Sequence, residues 1–464
     1  MTQPNLCFDP IVEREKGLYR GLSAGQLSMI AIGGAIGTGL FLGSALAIGF
    51  AGPSVLLSYA LGALIALLLM GCLAEMTVAH PTSGSFGAYA ESYVNPLAGF
   101  LVRYAYWCGL VVAIGTEVTA VSVYMRYWYP HVPGWLWITG FSSALIGING
   151  FSVRVFGAVE FGFSTLKIVA IAAFILLGSY IVFRAPPESG IGFTNYVSHG
   201  GFFPKGLWGM WVAVIVAIFS YVSIEMIAVA AAEARDPQHA IMRAFRATLF
   251  RLIFFYLLSL ALTLAIVPWP SAGSEGSPFV RVMAVTRVPG AGGVVNFVIL
   301  IAALSAMNSQ LYAATRMMFS LSRAGYAPRR FGELSREGVP LKALSLSTAG
   351  IALATVLSLL YPNGSFVLMM AIAMFGPMFT WLMIFVTHLY FRRLHAGAPL
   401  AFRMWGYPYT SLAGIAMMGG IMATTAFTQE FKITLGYGVP FLIALSAIYF
   451  MRYPKGGAGR RIET

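Results

Sequence analysis

Ile30-Ala31-Ile32-Gly33-Gly34-Ala35-Ile36-Gly37-Thr38-Gly39-Leu40-Phe41-Leu42 is apolar enough to sit in a membrane, yet it is a poor continuous helix. Each glycine weakens a helix interior by roughly 1 kcal/mol relative to alanine, and Gly33, Gly34, Gly37 and Gly39 crowd into one short run. The stretch is therefore expected to open. An opened helix leaves N–H and C=O groups unpaired, which lipid does not tolerate unless protein covers the break or it faces a polar cavity. The stretch reads as half of a ligand site.

The rest of the chain supports a membrane setting. Of 464 residues, 58% are hydrophobic and 10% charged, against about 25% charged in soluble proteins. Apolar stretches of spanning length, about 20 residues, fall at 24–48, 54–79, 97–124, 132–150, 159–183, 207–231, 247–268, 292–318, 343–361, 365–389, 410–427 and 434–452. Turn chemistry separates them, as at Gly52-Pro53, Pro133-Gly134 and Pro362-Asn363-Gly364. The expectation is an all-α integral membrane protein of twelve helices, with tails at 1–23 and 453–464. The first twenty or so residues are polar, without a charged-then-apolar pattern and cleavage site, so no signal peptide is expected.

Charge placement orients the spans. With the N-terminus inside, nineteen of the 29 Lys and Arg fall on the cytoplasmic side. Six fall opposite (Arg126, Arg184, Lys205, Arg281, Arg287 and Lys432), and four lie in or at the edge of spans. This bias predicts both termini in the cytoplasm. It accounts for the net charge of +13 without a nucleic-acid partner. Three cysteines, Cys7, Cys72 and Cys108, lack metal or redox spacing.

If spans one to five are repeated, inverted, by spans six to ten, span six is the counterpart of span one. It carries Phe219-Ser220-Tyr221-Val222-Ser223-Ile224-Glu225, a small polar cluster in an apolar run. The signal is weaker than in span one, because no glycine lies between Met210 and Ala234. A charge at membrane depth costs at least ~2.5 kcal/mol, so each ionisable group needs a reason. Glu225 follows the suspected break and is a candidate for coupling. Glu117 in span three and Lys167 in span five are weighed evenly between a proton-carrying role and a structural one. Glu75, and Glu160 at the start of span five, read as interfacial charges paired with an arginine or a helix end. Ser305, Asn308 and Ser309 in span eight are either close-packing residues or a cation-like site facing the first break. Phe219 borders the second break and is placed as a lid.

Arg20-Gly21-Leu22 followed by Met29 to Ser44 closely resembles the opening of the amino acid transporter permeases of the amino acid–polyamine–organocation (APC) superfamily. The likeness continues through Pro81-Thr82-Ser83-Gly84, Glu160-Phe161 with Lys167-Ile168, Ala232-Glu233 with Asp236-Pro237, Ala303 to Ser309, and Thr387-His388-Leu389. The resemblance implies a LeuT-like fold: inverted five-helix repeats at 24–183 and 207–389, broken helices one and six, and two extra helices at 410–452. It implies proton symport of amino acids, by alternating access, across the cytoplasmic (inner) membrane, with the lipid bilayer as surroundings and no cofactor or metal. By the same resemblance, the substrate carboxylate meets amides around Gly37, Thr38 and Gly39. Its amino group meets carbonyls near Ala35 and Ile36 and those of Phe219, Ser220 and Val222. It also places an aromatic gate at Phe219, a glutamate at Glu225 and a sodium-replacing lysine near Lys167.

The chain departs from the family pattern at Ser223, where glycine is usual, and at Ala45, Ala74, Ala158 and Arg103-Tyr104. Small or apolar lining residues (Ala35, Val222, Ser223) favour a neutral amino acid or γ-aminobutyrate over a cationic one. An obligate exchanger of the same fold and a non-transporting sensor are the alternatives. No Ser/His/Asp set, metal cluster or phosphate loop suggests an enzyme.

Overall fold

A computed structural model describes residues 8–453 apart from 236, 275, 286–289, 361–364 and 397–399. Arg287, the turn at Pro362-Asn363-Gly364, Asp236 of the family motif and the tail from 454 onward lie outside the described residues.

The described chain is helical. α1 (Asp9–Arg14) precedes α2 (Ala24–Ala35) and α3 (Ser44–Ala51), with a π-helical turn at Gly39–Gly43 between these two. Then come α4 (Val55–Ala79), α5 (Ser85–Tyr93), α6 (Pro96–Met125), α7 (Gly134–Phe151) and α8 (Val153–Arg184). The second half runs α9 (Gly206–Tyr221), α10 (Met226–Ala230), α11 (Pro237–Ile266), α12 (Trp269–Ala272), α13 (Pro278–Val285) and α14 (Ala291–Arg323). It closes with α15 (Leu341–Ser347), α16 (Ala349–Leu360), α17 (Ser365–Leu394), α18 (Tyr409–Thr425) and α19 (Lys432–Arg452). The described residues of the expected stretches are mostly helical, and eight segments among them are long and apolar enough to cross a membrane. The protein is therefore a multi-pass, all-helical membrane protein.

Local chemistry sets the helix starts. Ser23 and Gln26 form a reciprocal capping box on α2. The Asn95 side chain accepts from the Ala98 amide at 2.8 Å, and Pro96 occupies the first helical position of α6. Ser152 accepts from the Val155 amide and starts α8 at Val153, earlier than the expected 159. This corrects the placement of Glu160. It lies two turns inside α8 and is wholly buried, so it is not an interfacial charge at the head of the span.

The core is built on α6, which packs against α14, α17, α16 and α5. The first broken helix is enclosed: α2 lies against α8, α11 and α14, while α3 lies against α9. Around α1 the helices are tied by charge. Arg14 and Arg103 both bind Glu91, at 2.6 and 2.7 Å. Glu15 accepts from Thr82, from the Gly84 amide and from Ser320 at 2.6 to 2.7 Å. Backbone bonds from the Leu22 amide to the Glu233 carbonyl and from the Arg235 amide to the Leu22 carbonyl, both 3.0 Å, join the head of α2 to the chain after α10.

Candidate functional site

Both suspected breaks are present. α2 ends at Ala35, and Ile36, Gly37 and Thr38 separate it from the π-helical turn. α9 ends at Tyr221, and Val222 to Glu225 separate it from α10. Here Ser223 takes φ +84°, the left-handed conformation that glycine adopts without cost. The break in this span is made by a serine in a conformation usual for glycine, so no glycine marks it. That is why the signal in its sequence was weak.

The breaks lie against each other. Gly39 sits on Ser220 and Phe219: a Cβ there would meet the Phe219 ring at 3.1 Å. All nine expected substrate contacts (Ala35, Ile36, Gly37, Thr38, Gly39, Phe219, Ser220, Val222 and Ser223) are buried around this junction. The Ser223 hydroxyl is buried without a hydrogen-bond partner among the described residues.

Sequence reasoning missed the tyrosines that hold the junction. The Tyr256 hydroxyl on α11 lies 2.8 Å from the Ala35 carbonyl and 2.8 Å from the Ser220 carbonyl. It thus bridges the C-terminal ends of α2 and α9. Tyr59 on α4 reaches the Ser220 hydroxyl at 3.0 Å. A lone tyrosine in an apolar helix carries no local pattern, so nothing in the sequence marks either one.

The ionisable groups separate into two sets. Lys167 donates to the carbonyls of Gly33 at 2.7 Å and Ile36 at 3.0 Å, where the C-terminal end of α2 concentrates negative potential. Glu117 accepts from the Thr38 amide at 3.3 Å, on the opposite side of the same break. Glu225 is held at the second break: it accepts from Tyr106 at 2.7 Å, Trp381 at 3.1 Å and the Ser223 amide at 3.1 Å.

The span-eight residues do not stand together as one cation-like set. Ser305 and Asn308 donate to the Glu160 carboxylate, Asn308 at 2.7 Å, while Ser309 donates to the Ile30 carbonyl at 3.2 Å. Gly33 is required beside them, since any Cβ there would overlap the Glu160 carboxylate. Glu75 has the expected arginine partner, Arg392 at 2.7 Å, and His388 at 2.9 Å, but like Glu160 it is buried inside the protein and is not an interfacial charge.

The amino acid permease family model matches residues 26–456, nearly the whole described chain. This chain belongs to the amino acid permease family. The permease is 35% identical to the probable threonine/serine transporter YbxG of Bacillus subtilis over 455 residues, 97% of each chain. It is 37% identical to a putative histidine permease of that organism over 445 residues, 94% of each. It is 36% identical to that organism's gamma-aminobutyric acid permease over 424 residues, 90% of each. The permease is thus a transporter of the amino acid class and not an enzyme. A cavity of about 530 Å³ opens beside its first break, lined by Leu42, Ala45 and Leu46 on one wall and by Thr119, Ser122 and Arg126 on the other.

Proposed function

We propose that this permease imports a neutral amino acid or γ-aminobutyrate with protons, by alternating access. Twelve spans would carry inverted repeats at 24–183 and 207–389, with both termini in the cytoplasm and the protein in the cytoplasmic membrane. The observation that carries this reading is the pair of facing breaks whose half-helix ends present opposite partial charges. N–H groups from Thr38 onward suit a carboxylate. Carbonyls at Ala35 and Ser220, aligned by Tyr256, suit an ammonium.

The ionisable groups supply the coupling. Glu117 holds the Thr38 amide that the substrate carboxylate needs, and two carboxylates resist being charged together at one helix end. Proton uptake by Glu117 therefore accompanies substrate entry. Lys167, bonded to the Gly33 and Ile36 carbonyls, fixes the end of α2, and loss of its proton releases that half-helix. Glu225 keeps the second break in register, and Phe219 covers the bound substrate.

The threonine/serine, histidine and γ-aminobutyric acid relatives fit an amino acid substrate, and the small residues at the break select against a long cationic side chain. The test is competition in proteoliposomes by every protein amino acid and γ-aminobutyrate, with and without an imposed pH gradient. Concentrative uptake only under the gradient supports symport. Gradient-independent one-for-one exchange replaces it with the antiporter reading.

A further inference from the structure

Two neighbouring cavities, of about 530 and about 420 Å³, share Leu42, Val123, Arg126 and Gly276 in their walls. Together they form a vestibule that begins at Leu42, about one helical turn beyond Thr38. One wall is a single face of α6. Thr119, Ser122, Val123 and Arg126 follow the three, four, seven spacing that aligns residues along a helix. From Thr119 to Arg126 this face rises about 10 Å toward the mouth.

Its chemistry is asymmetric. The Thr119 hydroxyl donates to the Gly115 carbonyl, and the Ser122 hydroxyl donates to the Thr119 carbonyl. With their protons committed to their own helix, both offer only oxygen lone pairs to the cavity. Arg126 at the upper end is exposed and forms no ion pair among the described residues. It lines both cavities. Arg281 also lines the outer cavity, but it is engaged in an interaction of its own. Glu275, the acid nearest in sequence to the lining residues Ser274 and Gly276, lies outside the described residues.

We propose that this face of α6 is a vestibule subsite in which Arg126 takes the carboxylate of a zwitterionic amino acid, and the Ser122 and Thr119 oxygens face its ammonium, before the substrate enters the break. The inference rests on the amino acid reading above. A guanidinium at the mouth of a low-dielectric funnel draws carboxylates in and raises their local concentration. The hydroxyl stripe then gives the ammonium a path along α6 to the level of Glu117. The subsite selects for a paired carboxylate and ammonium before the side chain is tested deeper in the protein.

The experiment measures binding of a uniformly radiolabelled mixture of the protein amino acids and γ-aminobutyrate to the purified full-length permease, and uptake of the same mixture in proteoliposomes. Wild type is expected to bind in a tight and a weak phase. Thr38→Trp, which fills the break, retains only the weak phase, and Arg126→Gln retains only the tight one. Arg126→Gln also raises the uptake KM about fivefold with kcat kept, the weight of one solvent-screened ion pair. Arg126→Lys restores much of the loss, and high salt closes the gap between wild type and variant. Lys432→Gln, an exposed charge outside both cavities, serves as the control for net charge and leaves KM unchanged. A wild-type KM and salt dependence in Arg126→Gln, with label still bound at the break, overturns the subsite alone. Absence of any bound label on wild type overturns the amino acid reading with it.

Discussion

Gly34 and Ser223 meet where the two broken helices cross, so closely that a Cβ on Gly34 would lie 2.7 Å from the Cβ of Ser223. One residue comes from the end of α2 and the other from the break after α9. Their contact sets how near the two half-helices approach, and so the size of the junction they share.

Gly34→Ala overfills this contact. Overpacking of a tight interior costs about 1–3 kcal/mol, and the extra methyl also meets the Met226 sulfur. The expected outcome is a lower thermal midpoint in detergent and slower uptake. Ser223→Gly removes the opposing Cβ, so the double variant recovers part of the loss. A double variant no better than Gly34→Ala would show that the helices do not touch through these two residues.

Ser223→Gly alone is expected to stabilise. A non-glycine residue in the left-handed region costs about 1–2 kcal/mol, while the added freedom of glycine in the unfolded chain returns about 0.4–1 kcal/mol of that gain. The net is a small rise in thermal midpoint. Competition assays on this variant should also show tolerance of bulkier side chains, because the change removes a buried hydroxymethyl at the junction. An unchanged midpoint and an unchanged competition order would mean that the serine is neither strained nor lining.

Tyr256→Phe deletes the hydroxyl shared by the Ala35 and Ser220 carbonyls. Those two buried acceptors lose a donor, worth about 1–3 kcal/mol, and the two carbonyl ends lose their common alignment. Substrate affinity should fall about tenfold or more on this scale, with the protein still folded by circular dichroism. Affinity equal to wild type in a direct binding assay would remove the tyrosine from the site.

Lys167→Met keeps the bulk of the side chain and removes the ammonium that holds the Gly33 and Ile36 carbonyls. Uptake driven by a pH gradient should be lost while substrate binding at fixed pH survives. Gradient-driven accumulation at the wild-type level would place coupling on Glu117 or Glu225 alone.

The Glu91 cluster makes stability depend on pH. Burial pushes the Glu91 carboxyl up, but Arg103 and Arg14 outweigh it and hold it below its ordinary value. A lowered folded-state value means that the stabilisation is fully present above the ordinary carboxylate range and is lost as the pH falls through the folded value. The thermal midpoint should therefore drop between about pH 5 and about pH 3. Glu91→Gln should flatten that slope and cost about 3 kcal/mol at neutral pH, since the buried Arg103 loses its counter-charge. Equal slopes in variant and wild type would assign the acid sensitivity to other carboxylates.

The sequence by itself determined the class of the protein and the place of its first break. Long apolar runs and a cluster of glycines are local signals: hydropathy depends on composition, and glycine weakens a helix whatever surrounds it. The position of the second break was legible through repeat logic and the polar cluster at Phe219 to Glu225. Its form was not, because nothing in the sequence marks Ser223 as a residue with a positive φ. Only the tertiary structure decided the partners: Tyr256 across two helix ends, Glu160 drawn in to Ser305 and Asn308, Glu117 on the Thr38 amide. Apart from Tyr256 to Ser220, which are 36 positions apart, these contacts join residues more than 75 positions apart. No periodicity or motif encodes such pairings, which exist only because enclosed helices must satisfy their buried polar groups with whatever the fold brings near.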